Sequence, residues 1–268
     1  MNFSRNIVKF LLLAVLVSAV FKTSPVKANV EQRRIQILNL IEEELREVKR
    51  LNKQNGSRNA SLLLRMAELL LEKARHIKEK ENFTFLKIPV EQRRNKNKKD
   101  YFKVSRRYFI QAQKTCRYIL KRFKKLKSRG NVYYILAYNS KEFQKHQNAE
   151  KYFKAAIKYS RKGAEINSKS KLALAEILFN KQKYSKAIPL YEQALQKIKD
   201  RWLSKDTYNL AWCYFRINRY TKAISKLKKA YALSKNSKYV DMSKQVERDL
   251  AYFYTAAGKT SKAVSFYR

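Results

Sequence analysis

The sequence predicts an all-α protein built from repeated antiparallel helix pairs, with one further helix before them. Three observations carry that reading. Only 4 Gly and 3 Pro occur in 268 residues, too few for the tight turns of a β-sandwich or barrel. A hydrophobic fraction of 45%, with 13% aromatic residues, is enough for a packed core. Along the second half a fixed interval recurs, in which a Leu-Ala pair is followed by a second alanine thirteen positions after the leucine.

The first 28 residues read as a secretory signal peptide. Arg5 and Lys9 supply positive charge, Phe10 to Phe21 form an apolar run of twelve broken only by Ser18, and Val26, Lys27 and Ala28 offer a cleavage site. Twelve residues are short of the roughly 20 that span a bilayer, so cleavage is expected rather than anchoring, with a mature chain from about Asn29 and no transmembrane span.

Residues 29–55 are expected to form an N-terminal helix. Leu38, Ile41, Leu45 and Val48 recur at 3-4-3 spacing, which suits either a short coiled-coil seam or packing against the rest of the chain. Asn55, Gly56 and Ser57 then mark a turn. Residues 56–129 read as an extended helix pair. Its first member runs over 61–81 with Met66, Ala67 and Leu70 on one face, and its second runs from Tyr101 to Leu126 with Ala112, Cys116 and Ile119. A basic stretch from Gln92 to Lys99 separates them.

Residues 130–268 hold the clear repeats. The fixed interval links Leu136, Ala137 and Ala149; Leu174, Ala175 and Ala187; Leu210, Ala211 and Ala223; and Leu250, Ala251 and Ala263. Four positions after the second alanine comes a bulky residue, at Phe153, Tyr191, Leu227 and Tyr267, and three later another alanine at Ala156, Ala194 and Ala230. Spacings of three and four place these on one helical face, where small residues let a second helix approach closely. Lys181, Gln182, Lys183 and Tyr184, like Ile217, Asn218, Arg219 and Tyr220, form the polar connectors between the two helices of a unit.

This pattern resembles the tetratricopeptide repeat, in which small and aromatic residues recur over two helices. The resemblance implies a helix-turn-helix solenoid, a right-handed superhelix of antiparallel helix pairs. It makes residues 130–268 four repeats, the last incomplete, and 56–129 a divergent extended one. Departures from the pattern are Ser140 at a usually large apolar position, Lys199 and Lys235 where a proline usually closes a repeat, and intervals of 38, 36 and 40 between second alanines. The fourth copy stops at Arg268 inside its second helix, so the sequence is expected to be a piece of a longer chain, or to dock on a partner there. The long first unit is similar to exported repeat proteins of bacterial envelopes, which implies a periplasmic or envelope location.

Residues for catalysis are scarce. The histidines, His76 and His146, lie in different units beside Arg75 and Lys145, and no zinc-binding, phosphate-cradling or nucleophile-elbow motif occurs. No enzyme activity, cofactor or metal is expected, and no small-molecule substrate. Cys116 and Cys213 read as two separate buried thiols, with a disulfide the alternative in an exported chain.

Binding is better supplied. In the repeat family the first helices of successive units line a groove, and positions two either side of the leucine face it. That resemblance assigns Tyr134 and Tyr138, Leu172 and Glu176, Tyr208 and Trp212, and Arg248 and Tyr252 to a partner-binding groove, with Phe179, Phe215 and Arg216 one turn further on. Packing between neighbouring repeats is the competing use of these side chains. The repeats that clamp a chaperone's C-terminal carboxylate carry Lys, Asn and Arg at such positions, whereas here they are mainly Tyr, Leu, Trp and Ile135, so that specialised use is not expected. A protein or peptide partner follows.

The formal net charge of +41 leaves a second reading open, an anionic polymer such as an envelope glycan, lipopolysaccharide or nucleic acid bound on the basic surface. A Lys-rich solvated surface without any selected ligand would look the same in sequence. The signal segment holds only Arg5, Lys9, Lys22 and Lys27 of the cations, so the charge belongs to the folded part.

Overall fold

The computed structural model describes residues 30–259 apart from 57, 95 and 96, together with 261 and 264. The apolar run at 10–21, the cleavage site, and Ala263, Phe266 and Tyr267 lie outside the described residues. Every regular element among the described residues is a helix. They are α1 (Val30–Gln54), α2 (Ala60–Leu86), α3 (Lys103–Arg122), α4 (Arg129–Glu142), α5 (His146–Lys158), α6 (Glu165–Asn180), α7 (Tyr184–Leu195), α8 (Leu203–Arg216), α9 (Tyr220–Ser234) and α10 (Ser243–Ala256). Two single-turn helices, Val90–Arg93 and Lys98–Tyr101, fall in the connection from α2 to α3. No helix among the described residues is long and apolar enough to cross a membrane.

The chain divides within α1 into two compact units, residues 1–42 and 43–268. In the first, the described residues are helical and Arg34 pairs with Glu31 one turn away. In the second, Leu45 and Val48 are buried. Arg65 of α2 holds Glu44 with two guanidinium hydrogen bonds of 2.5 and 2.7 Å.

From α2 onward the second unit is a solenoid. Each helix packs on the one before and the one after, and α4 also touches α2 and α6. The pairs are α2 with α3, α4 with α5, α6 with α7, and α8 with α9, followed by α10. The notches read from the sequence sit at the crossings. Ala137, Ala149 and Ala156 with Phe153, Ala175, Ala187 and Ala194 with Tyr191, and Ala211, Ala223 and Ala230 with Leu227 are all solvent-inaccessible. Truncating such a bulky knob leaves a cavity that close packing cannot fill, a cost of about 3–5 kcal/mol for Phe. Ala67, Leu70, Ala112, Cys116 and Ile119 are buried in the same way between α2 and α3. Ser140, the polar departure, is buried but satisfied, its hydroxyl donating to the Leu136 carbonyl at 2.8 Å.

The turns from first to second helix are built alike. Gln144, Gln182 and Asn218 have φ of 57°, 57° and 59°, and Gly258 has 66° at the same place in the last unit. Each is the left-handed residue of a Schellman motif. The following residue's N–H reaches back to the carbonyl of Ser140, Leu178, Tyr214 or Tyr254 at 2.8–2.9 Å. That closes the helix without the usual glycine in three of four copies.

The opposite connectors also stack on one another. A Cβ at Gly130 would lie 2.8 Å from Ser160, so only glycine lets the start of α4 approach the connector after α5. Further along, Val240 donates its N–H to the Arg201 carbonyl at 2.8 Å. Ser204 donates to the Val240 carbonyl at 2.6 Å.

Candidate functional site

The first helices α2, α4, α6, α8 and α10 meet side by side, and their shared face carries a continuous ladder of contacts. Lys78 of α2 pairs with Glu142 of α4, and the Arg75 guanidinium lies 5.1 Å over the Tyr138 ring. Lys141 of α4 and Lys205 of α8 both reach the Glu176 carboxylate of α6, at 2.9 and 3.4 Å. Burial pushes the Glu176 carboxyl up, but these two ammonium groups outweigh it and hold it below its ordinary value. Burial likewise works to lower Lys141, and Glu176 overrides it, so this amine sits above its ordinary value.

The other half of the face is aromatic. Tyr208 and Trp212 of α8 donate their O–H and Nε1–H to one carboxylate oxygen of Asp249 on α10, the second at 3.1 Å. Burial, then that hydrogen bond, pushes Tyr208 up to about 12, which keeps it a donor. The Trp212 ring stacks on Tyr252 at 6.3 Å between centroids, and Arg216 caps its other neighbourhood at 5.2 Å. Tyr252 is 56% exposed, the most open ring of the set.

The candidate residues therefore divide. Tyr134, Tyr138, Glu176, Tyr208 and Trp212 are half-buried and joined across neighbouring helices, while Arg216, Arg248 and Tyr252 are exposed. Leu172 and Phe179 are half-buried and pack on the core, Phe179 edge-on to Tyr184 at 5.7 Å. Phe215 is a buried core residue, stacked on Phe253 at 4.2 Å, and offers almost no surface. The rings of Trp212, Tyr220, Tyr252 and Phe253 all lie within 5.4 Å of it and cover it.

Sequence reasoning missed the charged members of the ladder, Arg75, Lys78, Lys141, Glu142, Lys205 and Asp249. Lys141 was within reach, since it stands five places after Leu136, as Phe179 and Phe215 do after their own leucines. Also missed was Asp206 in the first turn of α8. It is 2% exposed, accepts no side-chain hydrogen bond among the described residues, and is pushed up to about 7 by burial and then by Glu176.

Both cysteines are free and buried, with burial pushing Cys116 up and Cys213 up to about 12, far from a reactive thiolate. His146 is exposed, and the Nδ1 of His76 stands 3.9 Å from Glu79. Among the described residues no three His, Cys, Asp or Glu side chains converge as a metal site would.

Charge is segregated by helix. The first helices carry 13 Lys and Arg against 10 Asp and Glu, the second helices α3, α5, α7 and α9 carry 15 against 2. The first helices taken whole are thus nearly balanced, and the excess positive charge lies elsewhere.

A solenoid of helix pairs with alanine notches is the architecture of the tetratricopeptide repeat, and models of that repeat match residues 130–162 and 164–236. The chain carries tetratricopeptide repeats over those residues. Solved structures share the fold at low sequence identity. BtubC from P. vanneervenii is 17% identical, with 87% of each chain covered and a TM-score of 0.57. The apo form of RapI is 15% identical, covering 88% of this chain and 74% of its own, with a TM-score of 0.51. No curated relative matches the sequence.

Proposed function

We propose that the protein is a non-enzymatic scaffold that holds an extended segment of a partner protein along the face of its first helices. Tetratricopeptide repeats serve in general as protein-interaction scaffolds, and the matched repeats support that use here. The observation that carries the reading is the Tyr208, Trp212, Asp249 and Tyr252 cluster. One carboxylate fixes two aromatic side chains while a third ring stays open to solvent. Rings fixed in place lose little conformational freedom on binding, which is why Tyr and Trp make efficient hot spots. The polar half, with Lys141, Glu176 and Lys205, offers charge to orient a peptide backbone or side chain.

The compartment belongs to the same proposal. The basic start, the twelve-residue apolar run and the small-residue site at 26–28 support export, and the resemblance of the first unit supports a bacterial periplasm or envelope. Selection of peptides from a random display library on the purified protein tests the groove. Peptides that bind should lose about fivefold or more in affinity on Trp212→Ala and on Tyr252→Ala, each truncation removing about 1–3 kcal/mol of hot-spot contact. Peptides indifferent to both substitutions would overturn the reading.

A further inference from the structure

The connectors from second to first helix, 123–128, 159–164, 196–202 and 235–242, lie along one edge of the solenoid, since successive helices run antiparallel. The start of α4 at Gly130 packs on Ser160 of the second connector, and Val240 of the fourth donates its N–H to Arg201 of the third. This edge carries ten cations, Lys and Arg together, and only two carboxylates. All ten cations are exposed. Both carboxylates are committed to the backbone, Asp200 accepting from Trp202 N–H at 2.9 Å and Asp241 from Ser243 N–H at 2.8 Å. Ten cations less two carboxylates leave the row a formal net charge of +8.

Eight of the ten cations are Lys and two, Arg161 and Arg201, are Arg. Compact, freely rotating ammonium groups suit a diffuse anionic surface, whereas Arg is the residue of choice for planar, bidentate recognition of individual phosphates. Aromatic rings accompany them, with Trp202 46% and Tyr159 40% exposed. Their faces are already taken. Arg201 and Lys205 lie 5.1 and 5.6 Å over Trp202. Tyr159 has the Tyr133 ring stacked at 5.3 Å and Arg129 at 4.8 Å. Rings so covered offer no platform for nucleobases, but Trp and Tyr among cations are the usual furniture of the headgroup layer. At the first connector an open depression of about 430 Å³ has an apolar lining from Ala60, Phe123 and Leu126, with Arg122, Lys124 and Lys125 around it.

We propose that this edge docks on the surface of an anionic phospholipid membrane, leaving the face of the first helices free for its partner. Each cation near such a surface strengthens binding by about fivefold, the effect fading over a Debye length. The contact is electrostatic and interfacial.

The test is co-sedimentation of the full-length protein with vesicles of phosphatidylcholine alone and of phosphatidylcholine with phosphatidylglycerol, read as the difference between the two. That difference removes any contribution of the apolar N-terminal run. Anionic vesicles should bind more strongly, and the quadruple substitution Lys124→Gln, Lys125→Gln, Lys197→Gln and Lys199→Gln should reduce the difference about a hundredfold or more. The quadruple Lys151→Gln, Lys186→Gln, Lys226→Gln and Lys229→Gln removes equal charge from the second helices and should reduce it less than tenfold. Equal partition into both vesicle types, or equal losses in the two variants, would overturn the proposal. So would single-stranded polyuridylate binding more tightly than anionic vesicles at the same salt and losing its affinity with the edge variant. The groove substitution Trp212→Ala should leave the vesicle difference unchanged, so the two surfaces stand or fall separately.

Discussion

Replacing Asp206 with Asn should make the protein more stable at pH 8 and change it by only about 1 kcal/mol at pH 4.5. The carboxyl of Asp206 is pushed from 3.8 up to about 7 by burial and then by Glu176, with Asp200 adding to the shift and Lys205 and Lys141 opposing it. A raised acid holds its proton in the folded state and loses it in the unfolded chain, so between pH 4 and 7 the folded state binds more protons. Stability then falls as pH rises through that window. At 1.36 kcal/mol per unit, a shift of about three units amounts to about 4 kcal/mol at most. Asp206 stands in the first turn of α8, where the helix dipole favours the charged form by up to about 1 kcal/mol, leaving about 3. Asn keeps the shape and removes the titration. Urea unfolding followed by far-UV circular dichroism from pH 4.5 to 8 should show the parent losing stability with pH and the variant flat. Glu176 is depressed and acts with the opposite sign, its contribution lost as pH falls below the ordinary carboxylate range, so the window from 5 to 7.5 isolates Asp206. A variant less stable than the parent at pH 8, or one that keeps the parent's slope, would refute the burial argument.

Gly130→Ala should destabilise by about 1–3 kcal/mol, because its Cβ would meet Ser160 at 2.8 Å with backbone atoms at 3.1 Å; thermal unfolding measures it. Gln182→Gly should stabilise by about 0.5 kcal/mol, since release of a left-handed non-glycine residue slightly exceeds the added freedom of the unfolded chain. Gln182→Val should cost more than 1 kcal/mol in the same assay. Ala211→Leu should cost about 1–3 kcal/mol or more, as the site is solvent-inaccessible and holds neighbouring helices together, while Tyr252→Ala on the open face should change stability by less than about 1 kcal/mol.

The helix pairs were legible because close crossing forces small residues to fixed positions, and Ala149, Ala187 and Ala223 can be found by counting from a leucine. The turns were harder to read. Gln144, Gln182 and Asn218 adopt the left-handed conformation that a glycine would have announced, and the Schellman hydrogen bonds that hold them use backbone atoms alone. Register relative to the leucine, as the repeat resemblance implies it, assigned Tyr134, Tyr208 and Trp212 to the first helices' face, and each of them is half-buried. The same register misjudged Phe215, because whether a ring lies in or out depends on Phe253 and Tyr252 of the next unit, which counting along one helix does not reveal. The charged ladder joins residues more than twenty positions apart, as Lys141 with Glu176 and Tyr208 with Asp249. Such pairs have no local sequence signal. Nor did the total charge disclose that the second helices and one row of connectors hold most of it.

Hydrogen exchange, measured by mass spectrometry with and without a bound library-selected peptide, tests the central claim most directly. Protection confined to α4, α6, α8 and α10 is the expected result, strongest around Trp212 and Tyr252. Protection of α5, α7 and α9 with the first helices unchanged would contradict it.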